Sequence, residues 1–167
     1  MLLAVAACDN PAGTPGQPGA GGPGQGGYDT KISFAAAGNS AAIKEAGWSK
    51  AEEQFTWTEG NTATLAIPIQ PSEARVMLRM TVAGMIKAPE FPTHPVEVYA
   101  GEQKIADWQV GETAPFSAPI PQELTKAGGT LKLTFKMPKA VSPKELGKNE
   151  DPRILGLCVS DLELSTR

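Results

Sequence analysis

The chain is poor in the residues that carry most enzyme chemistry. Its 167 residues include one histidine, His94, and two cysteines, Cys8 and Cys158. One histidine and one domain thiol cannot supply the ligands of an ordinary zinc site, so no metal site is expected. A cysteine beside the N-terminus and another near the C-terminus do not make a disulfide framework. Cys158 lies in the apolar run Ile154-Leu155-Gly156-Leu157-Cys158-Val159 and is expected as a small, unreactive core residue. No Gly-x-Ser-x-Gly elbow is present, and a serine–histidine–acid arrangement would depend on His94. That histidine sits in Pro92-Thr93-His94-Pro95 and is expected in an exposed loop.

Positive charge is also scarce. The net charge is −3, and the densest basic stretch, Lys132 to Lys148, spreads five lysines over 17 residues with Glu145 among them and Glu150 and Asp151 just after. The basic stripe that a phosphate backbone selects is missing, which excludes a nucleic-acid partner. A long apolar run is absent too, and the few apolar residues before Cys8 are far too short to span a bilayer.

What precedes Cys8 is an address. Val5-Ala6-Ala7-Cys8 has the form of a lipobox, with an aliphatic residue and two small ones ahead of the cysteine that takes the lipid. Small residues let a peptidase hold the chain extended, and each buried acyl CH₂ contributes about 0.8 kcal/mol to anchoring. The basic region of a secretory signal is not found between Met1 and Cys8, so the start is expected upstream of Met1. Asp9, next to the cysteine, resembles an inner-membrane retention signal of some Gram-negative bacteria. The expected location is therefore the cell envelope, lipid-anchored, on the periplasm-facing inner membrane.

From Asp9 to Gly27, Gly or Pro fills 12 of 19 positions and no large apolar residue occurs. Such a stretch cannot offset the entropy of ordering it and is expected to act as a leash. As a Gly-rich coil it would span about 24 Å root-mean-square. The organisation is thus a residual signal segment at 1–7, a lipidated cysteine and linker at 8–27, and one folded domain at 28–167.

That domain alternates apolar and polar residues with period two. Ala63, Leu65, Ile67 and Ile69 share one face, as do Val76, Leu78, Met80 and Val82, and Leu131, Leu133, Phe135 and Met137. One dry and one wet face is the pattern of antiparallel strands packed on one side. Glu59-Gly60-Asn61 predicts a hairpin between the runs 55–58 and 62–69, and Ala100-Gly101-Glu102-Gln103 predicts one between 96–99 and 104–110. Prolines at 89, 92, 95, 115, 119, 121, 138, 143 and 152 are expected at run ends and in loops. Helix is expected only at Ser40–Ala46 and Pro121–Ala127. The fold class is all-β, an antiparallel β-sandwich of jelly-roll type with one or two short helical turns.

Two separated segments carry a likeness. The first comprises Gly47-Trp48-Ser49, Glu52, Trp57-Thr58-Glu59-Gly60 and Ala63-Thr64-Leu65. The second comprises Ser142-Pro143-Lys144-Glu145-Leu146-Gly147 and Asp151-Pro152-Arg153-Ile154-Leu155-Gly156-Leu157. Together they resemble a β-sandwich accessory module of bacterial envelope-polysaccharide proteins. That module is often appended to glycosyltransferases and to phosphoglycerol-transferase-like enzymes. Gln54-Phe55 stands where the module has Trp-Gly, which reduces or moves an aromatic surface. The resemblance implies a sandwich and a setting in surface-glycan metabolism, with catalysis left to other domains.

The candidate binding residues are Trp48, Glu52, Trp57, Asp151 and Arg153. Asp151 and Arg153, two apart across a proline, suit either a loop clamp or a donor–acceptor pair for sugar hydroxyls. Tryptophan faces suit the C–H face of a pyranose or a sandwich core. Trp108 shares its face with Ala106 and Val110 and is expected in the core, whereas Trp48 lies in a non-periodic segment and is the favoured surface ring. Glu52, Glu53, Glu59, Glu150 and Asp151 are the carboxylates from which a hydrolase pair would have to come. No catalytic residue and no cofactor are expected. The expected partners are the membrane, through the lipid, and a glycan or glycolipid; the alternative is a protein of envelope-glycan assembly, bound without sugar contact.

Overall fold

A computed structural model describes residues 29–166; Cys8, the Asp9–Gly27 segment and Tyr28 lie outside the described residues. The strands are β1 Asp29–Ser33, β2 Thr56–Glu59, β3 Thr62–Ile69, β4 Val76–Gly84, β5 His94–Ala100, β6 Gln103–Val110, β7 Ala114–Ile120, β8 Gly129–Lys136 and β9 Leu155–Thr166. A 3-10 turn at Ser40–Ala42 and a single helical turn, α1, at Gln122–Thr125 fall inside the two segments expected to be helical.

The strands pair antiparallel in two sheets. One runs β1-β9-β4-β7, and the other β3-β8-β5-β6. Strand β9 organises the first. Its one edge takes β4 along nearly its whole length, while the other takes β1 opposite Asp161–Ser165 and β2 opposite Leu155–Val159. The period-two sets predicted to face inward do so: Leu65, Leu78, Met80, Leu133, Phe135 and Met137 are fully buried between the sheets. Trp108 joins them, packing against Phe116 at 5.4 Å and Phe135 at 6.4 Å. Burying each such side chain contributes roughly 1.5–3 kcal/mol, so alternation of this length fixes which face is dry. Among the described residues no helix is long and apolar enough to cross a membrane.

The hairpin at Ala100–Gln103 is present, with Gly101 at φ 56° as the first of two turn residues. A positive φ there suits the type II′ turn that matches strand twist. The hairpin expected at Glu59–Asn61 is not. Strand β2 joins the first sheet and β3 the second, so this turn carries the chain across the sandwich. The edge of β3 that β2 would have taken is occupied. Glu45 and Ala66 donate backbone N–H groups to Thr64 and Ile43, and Thr64 donates to Ala46. A turn motif sets where the chain reverses, not which sheet the next strand enters.

Three of the prolines, Pro95, Pro115 and Pro119, lie just inside strands, each one residue from a strand end. Pro115 and Pro119 sit on β7, an edge strand paired only with β4. Pro95 sits where β5 is paired with β6 alone, since pairing with β8 begins at Glu97. In each place one flank of the strand needs no donor. His94, expected in an exposed loop, is the first residue of β5 and 0% exposed.

Candidate functional site

The segment from Gly47 to Trp57 folds back on itself. Ser49 donates its N–H to the Trp57 carbonyl at 2.9 Å, and Glu59 donates to the Gly47 carbonyl at 2.8 Å. Gly47 is required here: its φ is +78°, and a Cβ would lie 2.0 Å from the Thr62 carbonyl oxygen. The tip is closed by Glu52 N–H donating to the Phe55 carbonyl. This places Glu52 and Trp57 beside the start of β9, where Trp57 pairs with Cys158.

The second segment arrives at the same spot. Asp151 N–H donates to Asn149 Oδ1 at 2.8 Å, and Arg153 N–H donates to Asp151 Oδ1 at 2.9 Å, which bends the chain into β9. The Arg153 guanidinium then grips Asp151 with two prongs, Nη2 to Oδ2 at 2.7 Å and Nε to Oδ1 at 3.1 Å. Its other nitrogen donates to Ser49 Oγ at 3.2 Å, and Ser49 Oγ–H donates to Glu59 Oε2 at 2.7 Å. Glu52 lies 3.9 Å from Nη2. A chain Glu59–Ser49–Arg153–Asp151 thus ties together two loops a hundred residues apart in sequence. Hydrogen bonds from the Arg153 guanidinium hold Asp151 below the usual carboxylate pKa, and the same pairing raises that of Arg153.

Around this network is a cleft of about 300 Å³, lined by Glu52, Trp57, Met85, Lys148, Asp151 and Arg153 among others. Lys148 Nζ crosses to donate to the Ile86 carbonyl at 2.9 Å. Four of the five candidate binding residues therefore meet at one place. Two larger hollows, one near Lys31 and Asp161 and the other near Arg75 and Pro119, have no aromatic residue in their walls. The Trp57 ring stands edge-on to Phe55 at 6.3 Å, and its indole N–H has no hydrogen-bond partner among the described residues.

Trp48 is the candidate that does not join. Its ring packs on Phe34 at 5.2 Å against the core, and its indole N–H donates to the Thr64 carbonyl at 2.9 Å. The lack of periodicity that suggested a surface ring reflects a covering segment laid over β3. Cys158 is likewise not a core residue. It is half-buried on the outer side of the first sheet, next to Trp57, and burial together with the Glu52 charge pushes its thiol up to about 12. Met85 and Lys148 are cleft residues that sequence reasoning missed. Met85 gives an apolar signal like any core residue, and a surface lysine gives none.

Chemically the cleft offers an aromatic side chain, fixed hydrogen-bond donors and fixed acceptors. Asp151 is held ionised, the reverse of what a general acid requires. Among the described residues no group of three or more His, Cys, Asp or Glu is arranged to hold a metal ion.

No protein-family model matches the chain, and no curated protein matches it. Solved structures do resemble it in outline. One is the CBM36-1 domain of a multidomain xylanase from the hindgut metagenome of Trinervitermes trinervoides. It has a TM-score of 0.49 at 8% identity over 84% of this chain and 98% of that one. A CBM36 carbohydrate-binding module in complex with calcium and xylotriose gives 0.47 at 12% identity, over 81% and 99%. The CBM22-1 xylan-binding domain from Paenibacillus barcinonensis gives 0.44 at 12% identity, over 84% and 95%. At these scores and identities the likeness carries no argument about any ligand of this chain.

Proposed function

We propose that this chain is a non-catalytic glycan-binding module, with a sugar ring seated on Trp57 and its hydroxyls met by Glu52, Asp151, Arg153 and Lys148. The observation that supports it is the convergence of Glu52, Trp57, Asp151 and Arg153 on one cleft. A half-buried aromatic face beside prearranged polar groups is the usual make-up of a sugar site. Docking to an assembly protein through the edges of β3 and β7 has less support, since β3 is covered by the 43–46 segment and β7 carries Pro115 and Pro119.

The setting belongs to the same proposal: a cell-envelope lipoprotein, lipidated on Cys8 and facing the periplasm from the inner membrane. Asp29 pairs with Ser165, at the far end of β9 from Leu155, which lines the cleft. Ten strand residues separate those ends, roughly 33 Å. A domain tethered through Asp29 therefore carries its cleft at the end of β9 remote from the point of attachment.

Calorimetric titration with neutral and acidic envelope oligosaccharides tests the glycan reading. We expect a Kd of about 1 mM, a binding energy near −4 kcal/mol. Trp57→Ala should abolish binding with the melting temperature little changed. Absence of binding by the wild type at several times that concentration, across the panel, overturns the reading.

A further inference from the structure

His94 is buried with one ring nitrogen engaged and the other alone. Nδ1 lies 3.2 Å from the Met85 carbonyl oxygen, so Nδ1 carries the hydrogen and donates. Nε2 has no partner among the described residues. The Phe91 ring stands edge-on at 5.6 Å. Beneath, the Gly84 backbone approaches so closely that a Cβ there would lie 2.8 Å from His94 Cβ and 2.4 Å from the Val110 carbonyl oxygen. Gly84 and Met85 form a wall of the Trp57 cleft, and the next carbonyl, that of Ile86, receives Lys148 from the facing loop. The histidine is therefore packed directly behind the cleft.

We propose that His94 is the positioning residue of this wall, holding the Gly84–Ile86 backbone in place while its ring is neutral and releasing it when the ring takes up a proton. A proton on Nε2 would create a cation whose new N–H has no acceptor, at a place closed to water. Such a group is driven out or drags its surroundings open. The neighbouring elements offer no compensating charge. Strand β6 presents Val110, the 85–91 loop presents a carbonyl and the Phe91 ring, and the segment after β8 brings Lys139, whose charge repels a second cation. Lys87 and Glu90, on the same loop, are exposed. Burial, reinforced by Lys139 and opposed by the Met85 carbonyl, pushes the His94 pKa below 6.5. The 85–91 loop is held by few contacts of its own backbone, Met85 N–H to the Gly156 carbonyl and the reciprocal Lys87–Phe91 pair, and these are the bonds a displaced ring would strain.

The inference rests on the glycan reading only for its consequence, a cleft that loosens in acid, and its test needs no ligand. Nitrogen-15 NMR of the full chain from pH 7.5 to 4.5 follows the His94 ring, the Met85 and Ile86 amides and the tryptophan indoles. We expect the two amides and the Trp57 indole to shift with the same midpoint as the His94 ring, below 6.5, and the Trp108 indole not to follow. His94→Asn, which keeps a donor near Nδ1 and cannot titrate, should remove the shift. Amides that stay still while the ring titrates overturn the proposal. So does a shift that persists in His94→Asn, or a ring that stays neutral until the whole domain unfolds. Should that variant fail to fold, the wild-type midpoints decide. A domain that binds no glycan leaves these outcomes untouched, and loss of the pH response leaves glycan binding untouched.

Discussion

Arg153 does two things at once, and its surroundings indicate how to separate them. Its guanidinium grips Asp151 with two prongs and reaches Ser49, so it clamps the loops that build the cleft. It also lines that cleft. Arg153→Lys keeps the charge but not the planar fork. Asp151 has an ordinary pKa of 3.8, lowered in the fold chiefly by the Arg153 hydrogen bonds. Its contribution is therefore fully present above about pH 3.8 and is lost as the pH falls through the lowered value. Thermal melts from pH 7 to pH 2.5 should show the lysine variant below the wild type at neutral pH, with the gap closing in acid. A gap that persists at the lowest pH would assign the loss to packing and not to the ion pair. In sequence the two residues suited either a clamp or a ligand pair, and their spacing across one proline made the clamp that the structure shows a legible option. The bond to Ser49 was not legible, because it crosses a hundred residues.

At the scale of elements, β8 is the strand whose pattern was plainest, and the structure keeps its register. Leu133 and Phe135 point inward and are fully buried, while Thr134 faces out beside Thr64 and Tyr99. Phe135→Ala should cost about 3–5 kcal/mol, since the cavity left between two packed sheets collapses only in part. Thr134→Ala should cost under about 1 kcal/mol. Equal losses in denaturant melts would mean that the strand slips by one residue in solution, which exchanges its faces. Strand β2 gives the opposite lesson. Its four residues alternate as well, but alternation names a face and not a neighbour, and its pairing with β9 is decided by which edges remain free.

For the whole molecule, β9 separates two ends. Asp29 enters at one, and the loops carrying Glu52 and Arg153 gather at the other. A lipid on Cys8 would set the distance of this body from a membrane, and the test is direct. Wild-type protein from its native host should partition into membranes with an acylated N-terminal cysteine by mass spectrometry, and Cys8→Ser should be released into the soluble fraction. An unmodified N-terminus on native material would remove the anchor from the reading and leave the cleft unaffected.

Composition and periodicity by themselves determined that this is an all-β domain of small net negative charge, and which side chains of β3, β4 and β8 are dry. Those are local consequences of burial, and they are written every second residue. Tertiary structure alone decided the rest. It sent β2 and β3 to different sheets, turned Trp48 inward onto Phe34 and left Trp57 to line the cleft. It also enclosed His94 behind Met85, although two flanking prolines suggested an exposed loop. Each of these depends on what a distant segment covers, and covering is a property of the assembled sandwich that no local pattern records.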